Sequence, residues 1–301
     1  MAAISLLQFL SQTETPMRKG IVQKITNVSV FLKMLYFIPV DGFAYTYGRQ
    51  ETLGGIAFRG LNQSYNADVG IVNPQIESLA IFGGEVRTDR QIVNKQGDVA
   101  RANSIGAKVK KSGLFYDKFV ISGDPAMNPL SFYGLNGRIT GAQQMVAGVN
   151  GAALTLALLD QVIDQTVGAG SEGKILVCNK YIRRQITALL RPQAHQSAMA
   201  ASEQVKAYND VPIVVLDEDG DEQAILPLTE AQGSSNITTS LYCMRLGQDS
   251  EGEYMQGLIG SQMIEHVQVG LLGTYYSDIV EANMGLAVFH PRAATRIKGL
   301  L

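Results

Sequence analysis

Tryptophan is absent from this 301-residue chain, and histidine and cysteine are scarce, at three and two residues. Each shortage removes a class of chemistry. His195, His266 and His290 stand far apart, and none pairs with another histidine, cysteine or carboxylate at zinc-ligand spacing. His290 precedes Pro291 at the end of a strand-like run, where a structural role is the simpler reading. Cys178 and Cys243 have no CxxC partner and lie in separate apolar runs. They read as buried free thiols in a reducing compartment, without a disulfide framework. No nucleophile elbow, Walker loop or HExxH helix is present.

Long apolar runs are also missing. The nearest to a membrane span, residues 30–40, is too short and contains Lys33 and Pro39. The first ten residues have no basic region ahead of their apolar ones, so no secretory signal is read. Two partial motifs fail on context. Gly168-Ala169-Gly170-Ser171-Glu172-Gly173 fits GxGxxG, but a helical pattern precedes it and a strand pattern follows. A dinucleotide site needs the reverse, so that phosphate meets a helix N-terminus. The run Asp217-Glu218-Asp219-Gly220-Asp221-Glu222 lacks the glycine and terminal glutamate positions of a calcium loop. It is expected to be an exposed acidic turn. Nothing here assembles an active site, and no cofactor or metal is expected.

What is present is an ordinary globular composition, 46% hydrophobic and 17% charged, with 31 glycines. The length fits two domains, or one with long excursions. The formal net charge of −2 is unevenly spread. Residues 1–120 hold 14 Lys+Arg against 9 Asp+Glu, and the remainder holds 11 against 18. A basic first third suits nucleic acid, and equally suits a solvated face.

The order of segments is more informative. Residues 2–10 are apolar and helix-like, and a polar stretch with Arg18, Lys19 and Lys24 follows, then an apolar run over 28–40. A stretch of this length without its own core crosses another body. From Phe43 the period becomes two, with Tyr45 and Tyr47 on one side. Ile56, Phe58 and Gly60 continue a second extended stretch, residues 61–70 are turn-rich, and a third strand is expected over 76–87. Such a glycine-punctuated hairpin has little local core and must rest on something else. Asp98 is placed to cap a helix through Val99, Ala102, Ile105 and Val109 towards Phe119, whose other face carries Arg101, Lys108, Lys110 and Lys111. After a turn-rich bridge over 122–136 the texture alternates: a helix over 151–167, a strand at 174–178, a helix over 180–190 capped by Asn179, strands at 212–216 and 240–245, and closing strands at 267–276 and 285–289.

This order of parts resembles the major capsid protein of tailed bacteriophages. Local stretches agree: Val120-Ile121-Ser122-Gly123-Asp124-Pro125 leading to Phe132-Tyr133-Gly134-Leu135, Lys174–Cys178 with its following helix, Val211-Pro212-Ile213-Val214-Val215, and the ending from Gly285 through His290-Pro291-Arg292-Ala293-Ala294-Thr295-Arg296-Ile297. The resemblance implies an α+β chain of the Hong Kong 97-type capsid fold. Its parts would be an N-terminal arm (1–41), an extended β-hairpin loop (42–75), a peripheral domain with a long spine helix (76–135), an α/β axial domain (136–270) and returning C-terminal strands (271–301). It implies a non-enzymatic subunit that self-assembles as hexamers and pentamers into a closed icosahedral head in the host bacterial cytoplasm. The implied partners are a portal protein, a separate scaffolding protein, a decoration protein and non-specifically bound double-stranded DNA. A separate scaffold is expected because Met1 leads at once into the arm.

Tyr45, Tyr47, Arg49, Phe58, Arg59, Leu61 and Tyr65 are then expected at subunit interfaces, with the two arginines pairing with nearby acidic groups. Arg18, Lys19, Lys24, Arg101, Lys108, Lys110 and Lys111 would face DNA, and Asp217, Asp219 and Asp221 would form an exposed axial loop. No lysine lies between Lys33 and Lys95, so the covalent Lys–Asn crosslink that some relatives form through this loop is not expected. An encapsulin-like nanocompartment shell, an unrecognised α/β enzyme and a phage tail component are the competing readings.

Overall fold

The computed structural model describes residues 4–5, 28–52, 54–65, 67, 69–194, 206–248 and 254–301. Arg18, Lys19, Lys24 and His195 lie outside the described residues. In chain order the first half runs β1 (Ile4–Ser5), α1 (Val30–Met34), β2 (Tyr36–Pro39), β3 (Ala44–Thr52), β4 (Ile71–Ser78), β5 (Ala80–Asp89), α2 (Arg90–Gln96) and α3 (Asp98–Ser122). The second half runs α4 (Leu135–Arg138), β6 (Gln144–Val146), α5 (Leu156–Gln165), β7 (Lys174–Cys178), α6 (Lys180–Ala194), β8 (Ala207–Tyr208), β9 (Val211–Val215), β10 (Glu230–Gln232), β11 (Ser235–Arg245), β12 (Met255–Leu272), β13 (Tyr275–Val288) and β14 (Ala294–Leu300).

Helix α3 organises the first unit. Its buried positions Ile105, Val109, Ser112, Tyr116 and Val120 recur at three- and four-residue steps, so one stripe faces inward. That stripe lies on a five-stranded sheet of order β1-β2-β12-β13-β5. The inward side of β13 offers Asp278, Val280, Ala282 and Met284, all buried, at the two-residue period of a sheet with one covered face. Strands β12 and β13 form one long hairpin that turns at Gly273 and Thr274, so the run expected as a single strand over 267–276 holds the turn. The boundary expected at residue 270 falls inside β12, which pairs with β13 and β2 in the sheet under α3.

The second unit is a sheet of order β6-β14-β11-β7-β9-β8, with β10 added to β11. Strands β7 and β9 are parallel, which requires the crossover that α6 provides. Both faces of β7 and β11 are covered. Leu176, Cys178, Leu241 and Cys243 pack with α5 and α6, while Ile175, Val177, Tyr242 and Met244 join the core that reaches α3. Burial on both faces explains their continuous apolar runs. Helix α6 starts where expected: the Asn179 side-chain oxygen accepts the Ile182 N–H at 2.9 Å.

The arm's root is held by a buried acid. Asp117 of α3 is 1% exposed and accepts hydrogen bonds from Ser29 Oγ (2.5 Å), Val30 N–H (2.9 Å) and Phe31 N–H (3.1 Å). Burial outweighs these bonds and pushes its pKa up to about 6, from an ordinary 3.8. The folded-state value is therefore raised, so the stability it contributes is complete below about pH 4 and is lost as pH rises through 6. Relative to Asp117→Asn, the native chain should lose roughly 2 kcal/mol between pH 4 and pH 7. Denaturant midpoints of both proteins across that range check this, and parallel pH profiles would contradict it.

Candidate assembly interface

Among the described residues, strands β3 and β4 pair only with each other, in the register Tyr45↔Glu77 and Tyr47↔Gln75. The base of this ribbon is fixed to the body. Tyr47 donates its hydroxyl to the Val288 carbonyl (2.8 Å) and lies 3.3 Å from a Glu77 oxygen. Glu77 receives both terminal nitrogens of Arg138, each at 2.5 Å. The Phe289 ring packs edge-on against Tyr47, with centroids 4.7 Å apart, and against Tyr45. Burial, and next the Glu77 charge, hold the Tyr47 hydroxyl well above its usual range. Tyr45 and Tyr47, expected at an interface, therefore anchor the ribbon to the body of their own chain. Arg49 is half-buried at the same base.

Beyond the base the ribbon leaves the protein. The second extended stretch expected around Ile56–Gly60 forms no strand, and the chain returns instead through β4. A turn closes at residues 60–63, where Gln63 N–H donates to the Gly60 carbonyl and Gly60 N–H to the Gln63 side chain. Ile56, Phe58 and Leu61 are each essentially fully exposed, at 101%, 108% and 97%. Tyr65 lies under the Arg59 guanidinium at 5.4 Å, and that guanidinium also donates to the Gln63 carbonyl. Arg59 thus stiffens the tip, and its recorded partners are not acidic. Val69, Ile71, Val72 and Ile76 extend the exposed apolar surface. A two-stranded ribbon like this is marginal in water alone, and its open edges are strand-pairing sites.

The basic helix face is largely committed inside the subunit. Arg101 meets Asp278 through two nitrogens, at 2.5 and 2.7 Å, and lies over the Tyr276 ring. Lys111 pairs with Asp221 and donates to the Asp219 carbonyl at 3.0 Å. The Lys108 stem lies against Gly84, and Lys110 is exposed.

The acidic run is exposed, as expected, at residues 217, 218 and 220–222, but its centre is not. Asp219 is 3% exposed and accepts from Lys118 Nζ (2.6 Å), Asp221 N–H (2.9 Å) and Gln223 N–H (3.3 Å). The Lys118 bond is the main cause that holds its carboxyl down at about 2. Asp217 pairs with Lys180 at 2.5 Å. These lysines lie on α3 and α6, far away in sequence, so local composition could not reveal them.

A hollow of about 180 Å³ opens between the units, lined by Ile121, Asn136, Leu226, Glu230, Tyr242 and Arg296. Its polar groups satisfy one another: Arg296 binds Glu230 and Ser240, and Tyr242 donates to Asn136. Among the described residues no group of three or more His, Cys, Asp or Glu is placed to hold a metal. No described helix is long and apolar enough to cross a membrane.

No protein-family model matches the chain, and no curated protein matches it in sequence. Solved structures do match in fold. The capsid of a native GTA particle is 10% identical, with a TM-score of 0.68 over 90% of each chain. The holo-SrpI encapsulin complex from Synechococcus elongatus is 14% identical, with a TM-score of 0.66 over 96% of this chain and 89% of that one. The satellite phage P4 procapsid, solved with its size-determination protein Sid, is 12% identical, with a TM-score of 0.57 over 98% and 96%. The chain has the α+β shell-protein fold shared by these particles.

Proposed function

We propose that this chain, built on the Hong Kong 97-type fold, is the major capsid subunit of a tailed phage, assembling into the closed shell that encloses the genome. The observation that carries this reading is the extended ribbon. Its base is locked by Tyr47, Glu77, Arg138 and Phe289, while its tip presents Ile56, Phe58 and Leu61 to water. Each large apolar side chain gains about 1.5–3 kcal/mol on burial. A neighbouring copy supplies that burial, and the open ribbon edges add main-chain hydrogen bonds. Closed rings then follow from one heterologous contact repeated around an axis. The partners this reading requires are further copies of the chain, a portal and a scaffold supplied separately. Contact with DNA would be weak and sequence-independent, because Arg101 and Lys111 are already neutralised.

The same observation favours a second reading. A nanocompartment shell enclosing protein needs no basic inner face, and the encapsulin likeness is among the strongest in fold. Negative-stain electron microscopy of the purified chain, with absorbance at 260 and 280 nm on the same fraction, tests both. Closed icosahedral particles are expected, and co-purifying nucleic acid or protein separates the two readings. Only monomers or dimers, even with scaffold and portal co-expressed, would overturn both.

A further inference from the structure

The acidic hairpin of residues 217–223 belongs to the second unit by chain position and touches the first. It leaves β9 and folds back on itself: Asp219 N–H donates to the Gln223 carbonyl, and Ile225 N–H to the Asp217 carbonyl. Asp217 ties its stem to Lys180 of α6. The hairpin's apex lies on α3, where Asp221 and the Asp219 carbonyl engage Lys111, and the Asp219 carboxylate engages Lys118. Those two lysines are seven residues apart, two turns along one face of the helix. Gly220 makes the approach possible. Its φ of +86° is left-handed, and a Cβ there would press on the Lys111 stem at 3.0 Å and on Leu114 at 3.2 Å.

The two units also share apolar core, including Leu216, Ile225, Val120 and Ile121. Apolar contact is non-directional and tolerates small sliding. Two ion pairs at fixed turns of a helix do not, because they fix a register. The arms differ in burial as well. Asp219 is enclosed, while the Asp221 and Lys111 side chains are 70% and 33% exposed. Salt therefore screens the outer arm more than the inner one, whose carboxylate is enclosed although Lys118 itself is 41% exposed.

We propose that this hairpin is a releasable electrostatic strap that sets the angle between the two units of the subunit. Loosening it would widen the range of angles and hence of local curvature. The consequence for curvature rests on the shell reading. The angle itself does not.

The test uses the full chain. Cys178 and Cys243 are buried, so nitroxide labels at Lys110→Cys on α3 and Ala188→Cys on α6, both exposed positions, give one interunit distance. The native strap is expected to give a single narrow distribution. Asp219→Asn with Asp221→Asn should broaden it at least twofold. Should that pair fail to fold, Lys111→Asp alone removes the outer ion pair and the bond to the Asp219 carbonyl and leaves the Lys118–Asp219 arm in place. It should broaden the distribution, and the exchange Lys111→Asp with Asp221→Lys should narrow it again. Distributions unchanged in the variants that fold would overturn the proposal. In assembled particles the strapless chain should show a wider spread of diameters than the native chain. Uniform diameters despite broadened distances would overturn the curvature consequence alone. If the native chain forms no particles under any condition, the shell reading fails while the distances still decide the strap.

Discussion

Replacing Arg101 with methionine should destabilise the chain by about 3–5 kcal/mol, because it leaves a buried carboxylate without its counter-charge. The Asp278 side chain is fully buried on the inward face of β13. Arg101 grips both of its oxygens, His266 Nε2 lies 2.9 Å from one of them, and the Gln268 amide oxygen, turned towards Arg101, accepts at 2.9 Å. Burial pushes the Asp278 carboxyl up. Hydrogen bonds and charge from Arg101 and His266 outweigh that and leave it below the ordinary value. This network joins the first turn of α3 to the long hairpin of β12 and β13. Arg101→Lys keeps the charge but loses the two-pronged fit, so it should fall between native and methionine. Adding Asp278→Leu to Arg101→Met should recover most of the loss, since the unpaired charge is then gone. Guanidinium midpoints of the four proteins measure this. A methionine variant within 1 kcal/mol of native, an order-of-magnitude bound, would contradict it.

On the proposed shell reading, charging the ribbon tip should act in the opposite way, abolishing assembly while leaving the folded chain intact. Phe58 and Leu61 touch nothing in their own body, so Phe58→Asp with Leu61→Asp removes no intramolecular packing. Thermal unfolding of the isolated subunit should shift within the range of surface substitutions, about 0.5 kcal/mol. At an interface each loses about 1.5–3 kcal/mol of burial, or roughly 3–6 kcal/mol per contact for the pair. That raises the assembly concentration by about 10²–10⁴-fold. Sedimentation velocity across a concentration series separates the outcomes. Native-like assembly of the double variant would remove the ribbon from the interface.

Periodicity was a good guide wherever an element buries its own pattern. The two-sided runs of β7 and β11 and the cap at Asn179 stand where the residues place them, whereas the α3 stripe does so only from Ile105 onward: Val99 and Ala102 are exposed, and Gly97, not Asp98, occupies the cap position. Two kinds of feature were not legible. The first is where a strand's partner lies. Residues 267–276 read as one strand because Gly270, Gly273 and Thr274 are a weak break inside an apolar run. Only the antiparallel pairing of β12 with β13 across that break shows a hairpin. The second is charge compensation at a distance. Arg101, Lys111, Asp219 and Asp221 look like solvated charges in a local window. Each finds its partner about a hundred residues or more away, across a boundary between units. Phe58 and Leu61 stand exposed at the tip, while Tyr45 and Tyr47 carry the same signal in the sequence and serve the ribbon's own foundation.

The sheet beneath α3 also sets a schedule for how the protein can form. Strands β2 and β5 are synthesised early, yet they pair with β12 and β13 near the other end of the chain. Pairings of such sequence separation close slowly. At about 5–20 residues per second the ribosome needs about 10–30 s to go from the end of α3 to the end of β13. Throughout that interval the apolar stripe of α3 has no sheet to cover it. The second unit, whose β7, α6 and β9 are close neighbours in sequence, has most of what it needs to begin folding first.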